Sequence, residues 1–178
     1  MKILYIDQKM FGKEDIVAAL SELGHEVEVT EIALKYKKDD TDLQPELIAF
    51  LVANSYDIIF TTNFYPVISD VCERLQLRYI SWTYDSPQIA LYRRAVTNSC
   101  NYIFTFDSEE CMKLQQKGIR NAYYMPLGVN TERLNKISIS GSEHQRFSAD
   151  VSMVASLYNE AHNLYDRMAV RLSDYTKG

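Results

Sequence analysis

One acidic side chain, Asp85, stands inside Arg78-Tyr79-Ile80-Ser81-Trp82-Thr83-Tyr84-Asp85-Ser86-Pro87. Tyr79 to Thr83 reads as a buried strand. It delivers Tyr84, Asp85 and Ser86 to the strand's C-terminal end, where Pro87 can open a helix. In an open parallel α/β sheet that edge is where ligands bind. A carboxylate there can act as a general base toward a hydroxyl that must lose its proton, or orient one. It can equally cap the helix opening at Pro87, and the residues alone leave both readings open. Trp82 and Tyr84 are read as pointing to opposite faces of the strand, so that one of them shares a face with a substrate. Core packing is the default for Trp82.

Other strand ends add candidates. Asn63, Phe64 and Tyr65 follow an apolar run, and a polar side chain beside two aromatics suits stacking on a sugar or base as well as simple loop packing. Asp107 and Ser108 read first as a helix cap with acidic residues in the next turn. The loop Gln8-Lys9-Met10-Phe11-Gly12-Lys13 has one glycine and lacks both G-x-G-x-x-G and the P-loop pattern, which argues against dinucleotide binding through it. His25 falls at a strand start, on the edge away from these loops. No His/Asp/Glu set has metal-ligand spacing and no Ser-His-Asp set can be argued, so no metal and no cofactor are expected.

The elements that must position these residues alternate. Ile3–Asp7 is a strand of the kind buried on both faces. Asp15–Leu23 has helical periodicity and ends at Gly24. His25–Ile32 alternates, with Val27 and Val29 inward. Lys35–Asp42 is a charged, solvated loop. Pro45–Asn54 reads as a helix with Leu47, Ile48, Leu51 and Val52 on one face, and Tyr56–Thr61 as a strand. Pro66–Leu75 is a helix with proline at its start. After strand Arg78–Thr83 come helix Gln88–Val96, strand Asn101–Phe106, a helix ending at Lys117-Gly118, and strand Asn121–Met125. This order predicts an α/β, doubly wound, Rossmann-like parallel sheet of about six strands with helices on both faces. Its strand ends, from Asp7 to Pro126-Leu127-Gly128, should meet in one crevice.

Residues 131–148 break the pattern and read as a linker or exposed loop. Asp150–Leu157 then reads as a strand and Asn163–Ser173 as a helix. Such a pair cannot form a core of its own. The expected organisation is therefore a Rossmann-like domain over 1–130, a linker over 131–148, and the start of a truncated second domain over 149–178. An unpaired strand near Val151 could promote self-association.

The chain has 178 residues and a net charge of −5, which argues against a nucleic-acid partner. Its three cysteines, Cys72, Cys100 and Cys111, fit no zinc or C-x-x-C pattern and read as reduced structural thiols of a cytoplasmic protein. No apolar run approaches the roughly 20 residues that span a bilayer.

Two motifs carry a family resemblance. Tyr124-Met125-Pro126-Leu127-Gly128-Val129-Asn130-Thr131-Glu132-Arg133-Leu134 resembles the P-x-G-V-[DN]-x-x-x-[FL] segment that closes the N-terminal domain of GT-B glycosyltransferases. Ser81–Pro87 resembles the Trp-x-x-Asp-x-Pro region of the CgeB-like, spore-maturation-protein-like members. The resemblance covers essentially the whole chain. It implies an acceptor-binding domain of a nucleotide-sugar-dependent glycosyltransferase, with catalysis in a cleft against a donor-binding domain and no bound metal. The implied partners are a nucleotide-sugar donor and a glycan, protein or small-molecule acceptor. Asp85 is the implied catalytic residue. Asn63, Tyr65, Tyr84, Ser86, Ser108, Gly128 and Asn130 are the implied substrate contacts. The chain departs from the pattern in three places. Tyr84 stands where related retaining enzymes carry a His before the Asp, Ala155 stands where Gly is usual, and the Gly-Gly loop is reduced to Gly12. A non-catalytic Rossmann-like module that binds a carbohydrate or protein is the alternative. A receiver-like regulator is disfavoured, because the third strand ends in Thr61-Thr62-Asn63 without an Asp.

Overall fold

A computed structural model describes residues 1–31 and 44–154. Six strands, β1 (Lys2–Asp7), β2 (Glu26–Glu31), β3 (Ile58–Thr62), β4 (Arg78–Thr83), β5 (Asn101–Thr105) and β6 (Ala122–Tyr124), form one sheet. Every pairing is parallel, in the order β2-β1-β3-β4-β5-β6. The chain steps from β1 to β2 in one direction and fills the sheet in the other. With crossovers of one hand, that reversal puts the first helix on one face and the later ones on the other.

The two cores confirm it. Successive residues of β1 separate: Leu4 and Ile6 join one apolar cluster, Ile3 and Tyr5 the other. Helix α1 (Lys13–Glu22) supplies Ile16, Val17 and Leu20 to the Tyr5 side. Helices α2 (Gln44–Ala53), α3 (Pro66–Leu75) and α4 (Ser108–Gln116) supply Leu47 and Leu51, Ile68 and Val71, and Leu114 to the other. The sheet is thus doubly wound, as the alternation of elements predicts. The α3 and β4 boundaries match the sequence reading residue for residue.

Four expectations are corrected. Gln88–Val96 is not an α-helix but two single 3-10 turns, Ile89–Tyr92 and Arg94–Thr97. Arg93 between them is extended (φ −86°, ψ 156°), and Gln88 is extended before them. Pro87 follows Ser86 through a cis peptide bond and opens no α-helix. Val52 is 68% exposed, whereas Leu47 and Leu51 are buried and Ile48 and Phe50 pack partly buried against the same core. Val29 is 42% exposed, because β2 is an edge strand.

The chain divides into two compact units, 1–131 and 132–178. In the second, residues 132–148 are exposed but not structureless. Helix α5 (Thr131–Asn135) runs into this stretch, and α6 (Gly141–Phe147) starts with a capping box. Ser140 Oγ accepts from the Glu143 N–H, and Glu143 accepts in return from the Ser140 N–H at 2.8 Å. The Ser-x-x-Glu signature was present in the sequence. No strand forms over 150–154, where Val151, Met153 and Val154 are at least 86% exposed. The rest of that expected strand and the helix Asn163–Ser173 lie outside the described residues, as do Ala155 and the loop Lys35–Asp42. Among the described residues, no helix is long and apolar enough to cross a membrane.

Candidate functional site

The direction in which strands are added reverses between β1 and β3, so the crevice of this sheet opens where those two parallel strands end, with β4 beside them. Asp7 closes β1. It is 3% exposed, accepts from the Lys9 N–H at 2.8 Å, and pairs with Lys13 Nζ at 3.0 Å. That carboxylate's bond and charge raise the Lys13 pKa. The pair ties the first loop to α1.

Strand β3 ends in a tightly bonded turn. Thr61 Oγ1 donates to the Asn63 carbonyl at 2.6 Å, and Asn63 N–H donates to the Trp82 carbonyl at 2.8 Å. Asn63 adopts a left-handed backbone (φ 67°), which Asn tolerates better than most residues. Its side chain is 1% exposed and spans to the end of β4. Oδ1 accepts from the Tyr84 N–H at 2.8 Å and the Asp85 N–H at 3.2 Å, and Nδ2 donates to Asp85 Oδ2 at 2.7 Å. One amide therefore uses both of its ends on the loop that carries the carboxylate. Asp85 itself is exposed, and among the described residues its Oδ1 has no partner.

The loop after Asp85 is fastened at two more points. Ser86 Oγ donates to Asp107 Oδ2 at 2.5 Å. Asp107 also caps α4, accepting from the Glu109 and Glu110 N–H groups. The Ser86 hydroxyl, followed by the backbone donors, holds the Asp107 pKa below the usual carboxylate range. Gln88 pairs with Phe64 as a strand would: its Oε1 accepts from the Phe64 N–H at 3.1 Å and its Nε2 donates to the Phe64 carbonyl at 3.2 Å. The Gln88 N–H donates to Glu110 Oε1 at 3.2 Å. Glu110 is 4% exposed, and burial pushes its pKa up. Gln88 thus ties this loop to β3 and α4 through its side chain and N–H, while its carbonyl accepts from the Leu91 N–H at 3.0 Å in the first 3-10 turn.

Aromatic packing orders the other side. Trp82 and Tyr84 do not point to opposite faces. Their rings meet edge to face, 5.4 Å apart at 76°, and both pack against the Tyr5 cluster. Two residues apart on an extended chain, they share a face. The Tyr84 hydroxyl rests on Gly12 (φ 84°), where a Cβ would come within 3.3 Å of it. Burial, then the charge of Asp15, raises the Tyr84 pKa. Trp82 Nε1 donates to the Met125 carbonyl at 3.3 Å, and Gly128 lies near the rim of the same indole, where a Cβ would come within 3.9 Å of it.

The structure brings Asn63, Tyr84 and Asp85 into one bonded group, with Ser86 and exposed Ser108 beside it through Asp107. Gly128 lies beside Trp82. Asn130 is directed to α1, its Nδ2 donating to Asp15 Oδ1 at 3.0 Å. Tyr65 is 6% exposed in the core, and its N–H donates to the buried Tyr79 hydroxyl at 3.0 Å. Sequence reasoning did not single out Lys13, Gln88 or Glu110. Glu110 carried a signal, since it lies four residues before Leu114 on the inward row of α4. Gln88 carried none.

Among the described residues, no three His, Cys, Asp or Glu side chains group as metal ligands. No family model, curated protein or solved structure matches the chain. Fold and site define an open parallel α/β domain with an oriented, solvent-facing carboxylate at the C-terminal edge of its sheet.

Proposed function

We propose that residues 1–131 are the acceptor-side domain of a nucleotide-sugar-dependent glycosyltransferase of the CgeB-like GT-B type. The observation that carries the reading is Asp85: one carboxylate oxygen is bonded by buried Asn63, and the residue is exposed at the C-terminal end of β4. An acceptor hydroxyl attacks the anomeric carbon of the nucleotide sugar. The anomeric C–O bond to phosphate breaks, the nucleoside diphosphate leaves with the electron pair, and Asp85 takes or orients the hydroxyl proton. A second α/β domain holds the donor. The nucleotide sugar is substrate, and no cofactor is called for. A cytoplasmic location belongs to the same reading. It accords with three free thiols, of which Cys100 is pushed up to about 12 by burial and held unreactive.

A non-catalytic carbohydrate- or protein-binding module is the second reading. Tyr84 favours it, because its hydroxyl packs on Gly12 at the position where related retaining enzymes carry a His. Calorimetry of the full-length protein with UDP- and GDP-sugars separates the two. Saturable binding supports the transferase, and no heat with any nucleotide sugar overturns it.

A further inference from the structure

A second cavity lies at the opposite edge of the sheet, where β5 and β6 begin. The loop before β5 and the loop joining α4 to β6 border an open depression of about 250 Å³. Its walls carry two cations, Lys117 and Arg120, in a chain of net charge −5, and the carboxylates of Glu73 and Asp70 behind it are engaged by Ser99 and Asn98. Arg120 is exposed and makes no hydrogen bond or ion pair among the described residues. The Lys117 ammonium lies 4.6 Å from the centre of the Tyr92 ring, a contact that steadies it without neutralising it.

The polar residues opposite are already used as donors. Thr97 Oγ1 donates to the Arg94 carbonyl at 2.9 Å, and Ser99 Oγ donates to Glu73 at 3.0 Å. Asn98 Nδ2 donates to Ser69 and Asp70. What each retains is an oxygen lone pair. The cavity thus sets cations against acceptors. A bare anion would use only the cations, and a neutral sugar only the acceptors.

We propose that this cavity binds a monosaccharide phosphate. The phosphate, with a charge of about −1.5 to −2 near neutral pH, sits on Arg120 and Lys117. The sugar hydroxyls donate to Asn98 Oδ1, Ser99 Oγ and Thr97 Oγ1. The volume falls below the roughly 300–1,000 Å³ of sites for drug-sized ligands, which suits a single sugar ring. The site lies across the sheet from Asp85 and does not depend on the transferase reading.

Glucose 6-phosphate is the probe, titrated at low salt into the ¹⁵N-labelled protein. Amide shifts should be confined to residues 97–101 and 117–121. Glucose alone and inorganic phosphate alone should each bind at least about tenfold more weakly, as should Arg120→Glu. Lys117→Glu repeats the test if thermal melting shows the Arg120 variant to be unfolded. The proposal is overturned if glucose 6-phosphate leaves these loops unshifted, if the charge reversals bind it as the wild type does, or if phosphate alone binds as tightly.

Discussion

Asn63 and Asp85, 22 residues apart in the chain, are joined by a 2.7 Å hydrogen bond from Nδ2 to Oδ2 across the ends of neighbouring strands. The same amide accepts the N–H groups of Tyr84 and Asp85, so the carboxylate and its own backbone are held from one buried residue. Asn63 therefore positions Asp85 and presents little surface of its own to a ligand.

Replacing Asn63 should test both its bonds and its backbone. Asn63→Ala strands buried donors and places a Cβ without a polar tip at a left-handed position. A loss of about 3 kcal/mol is expected from those two costs together. Asn63→Gly loses the same bonds but no left-handed strain, and should be about 1 kcal/mol less harmful. Urea unfolding of the pair measures the difference. Equal losses would show that the backbone conformation costs nothing.

Gly12 and Gly24 share a positive φ but not an environment. A Cβ on Gly24 meets nothing within 4 Å, whereas one on Gly12 comes within 3.3 Å of the Tyr84 hydroxyl. Gly24→Ala should cost about 1 kcal/mol, and Gly12→Ala measurably more. Tyr84→Phe removes the oxygen in the way, so in that background the two glycine replacements should converge. A Gly12→Ala cost unchanged by Tyr84→Phe would place its origin elsewhere.

Glu110 makes stability depend on pH in a predictable sense. Burial disfavours its charged form, so its folded pKa stands above the unfolded one of about 4.3. Its favourable contribution is complete below the unfolded value and is lost as pH rises through the folded one. Glu110→Gln keeps an oxygen for the Gln88 N–H and does not ionise. The variant should therefore gain on the wild type as pH rises from about 4 through the folded pKa, as read by denaturant midpoints across the range. A constant difference would show that the carboxyl is not strained by burial.

Asp85→Asn preserves the oxygen that accepts from Asn63 and removes only the charge. In the full-length protein the transferase reading expects turnover to fall by about 100-fold or more with the fold unchanged. Wild-type turnover in this variant would assign Asp85 to the architecture of the loop.

Much of the framework was legible in the sequence because burial leaves a periodic trace. Pro66 marked the start of α3, and the apolar runs ending at Asp7, Thr61 and Thr83 marked strands that meet at one edge. Backbone torsion and solvent exclusion are local properties, and local residue types encode them. The roles of individual side chains were less visible. Asn63 and Tyr65 read as ligand contacts yet are buried, and Gln88 is held by Phe64, 24 residues away. Such partners depend on which strands are neighbours and in what register. Only the folded sheet decides that, by setting β3 beside β4 and β4 beside β5.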